Sequence, residues 1–234
     1  MRALSDSGVL DLWERGTRLR PLDRGLMLLA AAFPETPDEA PADWPLGRRN
    51  SALAEWHCAM FGPKLEAWIN CPQCGEHLEF QMDARSLIAR EGSSANDRVV
   101  VRGRSFRLPT SRDLARVAAE PDPAGAGLRL LESCCLDADG AEHWSEQDLE
   151  EVGERLAGAD PLAETRLELR CPNCPAEWHE TLDIAEFIWT ELDAKAKRLL
   201  HEVHTLASAY GWTEAEILGL SDPRRSCYLS MVLE

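Results

Sequence analysis

Two short stretches, Cys71-Pro72-Gln73-Cys74 and Cys171-Pro172-Asn173-Cys174, constrain this chain more than anything else in it. Each is a C-x-x-C turn of the kind that directs two thiolates at one point, and two such turns supply the four soft ligands a tetrahedral zinc ion takes. The likeness continues past the cysteines at a constant offset of 100 residues. Leu65, Ala67 and Ile69 precede the first turn as Thr165, Leu167 and Leu169 precede the second. Leu78, Phe80, Met82 and Asp83 follow the first as Trp178, Glu180, Leu182 and Asp183 follow the second. This alternation reads as a strand, a knuckle and a returning strand. Asp83 and Asp183 stand where an N-cap would open a helix, ahead of Leu87-Ile88 and Phe187-Ile188. The expectation is two zinc-knuckle hairpins, 64–83 and 164–183, that pair across one structural zinc per chain through Cys71, Cys74, Cys171 and Cys174, with approximate two-fold symmetry.

Compact zinc ribbons separate their cysteine pairs by roughly 15–20 residues, whereas residues 75–170 intervene between these. Closure entropy grows only with the logarithm of loop length, so the longer spacer costs about 1.5 kcal/mol more. That is small beside the ~10–16 kcal/mol apparent for structural zinc, and the insertion is expected to be a domain of its own. A disulfide or redox pair is the competing reading. Asp6, Asp11 and Glu14 interrupt any secretory h-region, so a cytoplasmic location is expected, and in a reducing compartment paired C-x-x-C turns favour metal. His77 and His179 follow their knuckles closely, but four cysteines already complete a tetrahedron.

The length of 234 residues allows one sizeable core or two small domains, and no apolar run reaches the ~18–20 residues of a membrane span. A formal net charge of −16 disfavours nucleic acid, because a polyanion gains no counterion release from phosphates unless a local basic face overcomes its field. One local cluster runs the other way: Arg98, Arg102, Arg104, Arg107, Arg112 and Arg116. They read either as solvated or carboxylate-paired surface, or, through Arg102, Arg104 and Arg107, as a docking patch for an acidic partner.

Residues 1–63 read as a helical region with apolar helical spacing from Val9 to Trp13, from Leu22 to Phe33, and from about Arg48 to Phe61, where Gly62-Pro63 stops the last helix. Pro34 to Pro45 holds four prolines and four acidic residues and reads as an irregular loop. In the insertion, 84–163, the pattern predicts a short helix after Asp83, a polar loop Gly92 to Asp97, and a hairpin of Val99–Val101 with Phe106–Leu108. Helices Ser111–Ala119, Leu128–Leu136 and Ser145 to about Ala157 come next, with Pro121, Pro123, Gly125 and Gly127 breaking the chain between the first two. The adjacent thiols Cys134 and Cys135 do not share a helix face and make a poor metal site. Cys58 reads as a small buried hydrophobe and His57 as a surface or core histidine.

In 184–234 the strongest helix spans Ile184 to Tyr210, about 40 Å at ~1.5 Å per residue. Its apolar stripe runs through Ile184, Phe187, Ile188, Leu192, Leu199, Val203, Leu206 and Tyr210. Gly211 closes it, and Thr213 with Glu216 caps a short helix before a last one from Ser221-Asp222-Pro223. His201 and His204 stand at i, i+3 without an accompanying carboxylate motif. Eight tryptophans exceed what core filling needs, and Trp189 and Trp212 are candidates for a partner interface. The fold class expected is α+β and mainly helical, with a small antiparallel four-cysteine zinc ribbon formed from both ends of the chain and a helical insertion.

No nucleophile elbow, Walker loop, Rossmann fingerprint or zincin motif occurs, so an enzyme is not expected. Several stretches resemble one family: Trp13-Glu14-Arg15-Gly16, Arg24 to Ala32, Leu46 to Asn50, Phe61 to Glu66, the two knuckles, Phe187 to Leu192, Glu202-Val203-His204, Tyr210 to Glu214, Ile217 to Ser221 and Arg224-Arg225. They are similar to zinc-ribbon proteins encoded within bacterial contractile injection system and phage-tail-like gene clusters, related to bacteriophage baseplate hub assembly proteins. The likeness covers the N-terminal third and C-terminal quarter, and reaches the insertion only through Phe106 to Thr110. It implies a non-enzymatic role as an assembly chaperone or structural component, with baseplate or tail proteins as partners and incorporation into the particle as one outcome. A nucleic-acid-binding or regulatory zinc ribbon is the alternative.

Overall fold

A computed structural model describes residues 3–34, 40–89, 98–137 and 145–233. It is α+β and mainly helical, with small antiparallel sheets. Helix α1 (Asp6–Gly16) starts where Ser5 accepts from the Gly8 amide, and α2 (Pro21–Ala32) starts on a proline whose missing N–H costs a first turn nothing. Helix α3 (Leu46–Phe61) ends at Gly62, φ +94°. A 3-10 turn at Pro41–Asp43 lies in the proline-rich stretch, of which 35–39 fall outside the described residues.

Strands β1 (Lys64–Asn70) and β2 (His77–Asp83) form the first hairpin, with Leu65 opposite Met82 and Asn70 opposite His77. Strands β5 (Thr165–Arg170) and β6 (Glu177–Leu182) repeat it in the same register, Thr165 opposite Leu182 and Arg170 opposite Glu177. Each is a separate two-stranded sheet, so no strand pairing joins them. Between them lie β3 (Arg98–Val101) and β4 (Arg104–Arg107), which pair with each other, and α4 (Ser111–Val117), α5 (Pro123–Cys134) and α6 (Glu146–Ala159).

The long helix α7 (Ile184–Tyr210) is the spine of the molecule. Asp183 caps its first turn by accepting from the Ala185 and Glu186 amides, and Gly211 in the left-handed region closes it. Its buried residues, Ile184, Ala185, Ile188, Trp189, Leu192, Ala196 and Leu199, join Val9 and Leu12 of α1, Leu28 and Leu29 of α2, and Leu53 and Trp56 of α3 in the main core. Leu65 at the base of the first hairpin is part of the same core, and Leu182 at the base of the second packs against it. Both knuckles therefore grow from one packed body. Helices α8 (Glu214–Leu218) and α9 (Asp222–Leu233) fold back on α7. Arg225 of α9, 4% exposed, donates to Glu202 of α7 at 2.6 Å, to Asp6 of α1 at 2.7 Å and to Asp222 at 2.8 Å. A buried guanidinium is tolerated where its donors meet carboxylates, and here it ties the two ends of the chain together.

The insertion has its own apolar cluster of Val101, Phe106, Leu108, Leu131, Cys134, Val152 and Leu156. Polar bonds anchor it to the start of α3. The Gly47 amide donates to Asp160 at 2.8 Å, and the Asn50 side chain donates to the Leu162 and Ala163 carbonyls.

Two expectations about the insertion are corrected. Helix α5 begins at Pro123 rather than Leu128, because Asp122 caps it, accepting from the Ala124 and Gly125 amides, and Pro123 takes its first position. Pro123 opens that helix instead of breaking the chain. Asp83 opens only one 3-10 turn, Ala84–Leu87, because Ile88 turns extended and the Ala89 amide donates to Ser51 of α3 at 2.8 Å. The polar loop Gly92 to Asp97 lies outside the described residues.

Candidate metal centre

Each knuckle is closed by its own backbone. The Cys71 amide donates to the Glu76 carbonyl at 2.8 Å, and the Gly75 amide to the Cys71 carbonyl at 2.9 Å. In the second knuckle the Cys171 amide donates to the Ala176 carbonyl at 3.0 Å. The turns then face each other. Cys71 Sγ lies 3.7 Å from Cys174 Sγ, and Cys74 Sγ lies 3.6 Å from Cys171 Sγ. All four sulfurs fall within 4.8 Å of one another. A tetrahedral ion with bonds of about 2.3 Å to sulfur sets its ligands about 3.8 Å apart. A disulfide would need about 2.05 Å. The spacing matches the first requirement and not the second, so this donor set fits a tetrahedral thiolate-bound metal ion.

The surroundings favour thiolates unevenly. Burial raises the Cys71 thiol, but amides of Cys74 and Gln73 aimed at its sulfur bring it down to about 7. The Ala176 amide favours the Cys174 thiolate, yet burial and the three neighbouring thiols push it up to about 12. Without a cation the four groups cannot all ionise together, and a divalent ion removes that conflict. The Asn173 amide lies 3.4 Å from Cys171 Sγ, and its side chain reaches across to Glu76 of the other knuckle at 3.3 Å. Such outer contacts hold ligands in place.

No protein-family model, curated protein or solved structure matches this chain.

Other sequence candidates are placed differently. His77 lies 3.3 Å from Asn70 and His179 lies 3.9 Å from Glu168, and neither belongs to the thiol cluster. His201 and His204 are exposed on α7. Cys134 is fully buried, and burial pushes its thiol up to about 11. His57 is a core residue whose Nε2 lies 2.6 Å from Glu191 of α7.

The partner-binding candidates are largely committed inside the fold. Trp189 is 6% exposed, packs where a Cβ on Gly16 would come within 2.3 Å of its ring, and lies under the Arg24 guanidinium at 4.7 Å. It is a core residue and presents no docking surface. Trp212 is half-buried, stacked on Tyr210 at 4.7 Å and edge-on to Tyr228 at 4.9 Å. Arg102 pairs with Asp148 and Glu151, and Arg112 with Asp43. Arg107 forks onto the buried carboxylate of Asp113 at 2.6 and 2.8 Å, and Arg104 is also partnered. Arg102, Arg107, Arg112 and Arg116 thus each meet a neighbouring carboxylate. No helix of the described residues is long and apolar enough to cross a membrane.

Trp68 escaped the sequence reading although a signal was there. It is a large aromatic on the polar register of an alternating strand, and it is 66% exposed.

Proposed function

We propose that this chain is a non-enzymatic assembly chaperone or structural component of the baseplate of a contractile, phage-tail-like particle, made rigid by a structural zinc ribbon that both ends of the chain assemble. The observation that carries the structural part is the convergence of four thiols, from turns 100 residues apart, at tetrahedral spacing. A closed four-thiolate site keeps no open position for water or substrate, so its ion serves architecture rather than turnover. The same soft, all-sulfur donor set favours zinc over the hard cations that prefer oxygen.

The baseplate part rests on the likeness of the quoted stretches in the N-terminal third and C-terminal quarter. Those stretches fall in α1, α2, α3, α7, α8 and α9 and in the two knuckles. A scaffold of this kind holds a fixed shape while partners assemble on it, either transiently in the cytoplasm or permanently in the particle.

Affinity purification of the tagged protein from its host, with mass spectrometry and zinc analysis of the same eluate, tests the proposal. Recovery of tail sheath, tube or baseplate proteins with about one zinc per chain is the expected result. Recovery of polymerase, ribosome or nucleic acid in their place would overturn the baseplate assignment while leaving the metal assignment to its own test.

A further inference from the structure

The internal repeat shows what the outer face of a knuckle hairpin needs, and the first copy departs from it. On β1 and β2 that face carries Lys64, Glu66, Trp68 and Asn70 opposite Asp83, Gln81, Glu79 and His77, all exposed. The matching positions on β5 and β6 hold Arg166, Glu168, Arg170, Glu177, His179 and Thr181, so the same hairpin forms with polar residues throughout. The indole of Trp68 is therefore not there to hold the strands together.

Its surroundings are those of a receptor. The His77 ring backs the indole, centroids 5.1 Å apart at 33°, and is itself 3.3 Å from Asn70. Glu66 stands two residues before Trp68 on the same strand, and Glu79 stands directly across from it. An open cleft of about 480 Å³ lies here, lined by Glu66, Ala67, Trp68, Glu79, Phe80 and Gln81. Glu66 also meets Lys64, in an exposed ion pair of the kind that contributes little and exchanges readily.

An exposed indole flanked by carboxylates suits a cation on an apolar stem, because the charge lies over the ring while the carboxylates hold it. The net charge of −16 draws a basic segment in from a distance. Because the sheet has two strands, each strand leaves one edge beyond the hairpin pairing, and an extended chain can lie along such an edge. The geometry points to a docking site on the first hairpin for an extended, lysine- or arginine-bearing segment of a partner protein, its cation seated on Trp68 between Glu66 and Glu79. This goes beyond the baseplate reading and holds whichever assembly the partner belongs to.

Selection of random dodecapeptides displayed on phage against the zinc-loaded full chain tests it, followed by calorimetry on the peptides recovered. Enrichment of lysine or arginine within extended, otherwise apolar sequences is expected. Trp68→Thr should weaken those peptides about tenfold and Glu79→Gln about threefold. Glu168→Gln on the second hairpin should leave affinity unchanged, and zinc content and melting temperature should be preserved in all three. Failure of any peptide to enrich, enrichment without basic residues, or equal binding to Trp68→Thr would overturn the proposal. So would a concentration-dependent dimer that Trp68→Thr dissolves, which would assign the face to a second copy of the chain.

Discussion

Asp113 illustrates how much a single side chain does in this molecule. Its carboxylate is fully buried and takes hydrogen bonds from Arg107, Thr110 and Ser133. Burial alone would raise its pKa, but Arg107 and Thr110 hold it down to about 2. A depressed carboxylate contributes stability that is complete above its unfolded value, near 4, and is lost as pH falls toward the folded value. Wild-type urea midpoints should therefore drop between about pH 4 and pH 2, by the equivalent of about 2 kcal/mol. Asp113→Asn should remove that step and cost about 3 kcal/mol at neutral pH, since it leaves Arg107 without its buried partner. An unchanged acid limb in the variant would contradict this role. In the sequence Asp113 stands three residues after Thr110, a capping-box position that says nothing of an ion pair. Its ion pair was illegible because the packing of β4 and α4 on α5 brings Arg107 to Asp113 and to the Ser133 carbonyl together. Trp189 was misassigned for a related reason. Composition suggested an interface, whereas Gly16 on a helix far away in sequence makes room for the ring in the core.

Among the elements, those marked by local chemistry were the legible ones. The capping boxes of Thr110, Ser145 and Thr213 all open helices, and Gly211 closes α7. The hairpin registers came from alternation, because a one-residue slip would turn Leu65 and Leu167 outward. Equal caps do not give equal elements, and the apolar pattern beyond each aspartate already separates a short helix after Asp83 from a long one over Ile184 to Tyr210. Asp83 and Asp183 occupy matching positions, yet one opens a single turn and the other a helix of 27 residues. The difference lies in where the chain packs beyond each aspartate. The Ala89 amide goes to Ser51 of α3, while α7 continues along a groove lined by α1, α2 and α3. Tertiary packing, not the cap, sets helix length. The Asp183 cap still contributes its own share. Asp183→Ala should lower stability by about 1 kcal/mol, read as a shift in denaturation midpoint with the metal retained. No shift would mean that the packing of α7 makes the cap redundant.

At the scale of the whole molecule, the two hairpins share no sheet and meet at their tips, through the thiol cluster and the Asn173–Glu76 contact, while their bases insert into one core. The thiol cluster thus brings together segments that the chain separates by 100 residues, and its four cysteines were legible as a group in the sequence because C-x-x-C carries its chemistry locally. The position of the insertion was not legible. It is set by Asp160, Asn50 and the start of α3, a long-range polar contact with no pattern in sequence. If the metal is the joint, Cys174→Ser should loosen both hairpins together. Amide exchange should accelerate across 64–83 and 164–183 alike, although the substitution touches only the second. Faster exchange confined to 164–183 would show that the hairpins stand independently.

The most direct test of the central claim is X-ray absorption at the zinc edge on the purified protein, with metal content measured on the same sample. The account predicts about one zinc per chain, bound by four sulfurs at about 2.3 Å. Fewer than four sulfurs at the metal, or cysteines paired as disulfides with no zinc, would contradict it.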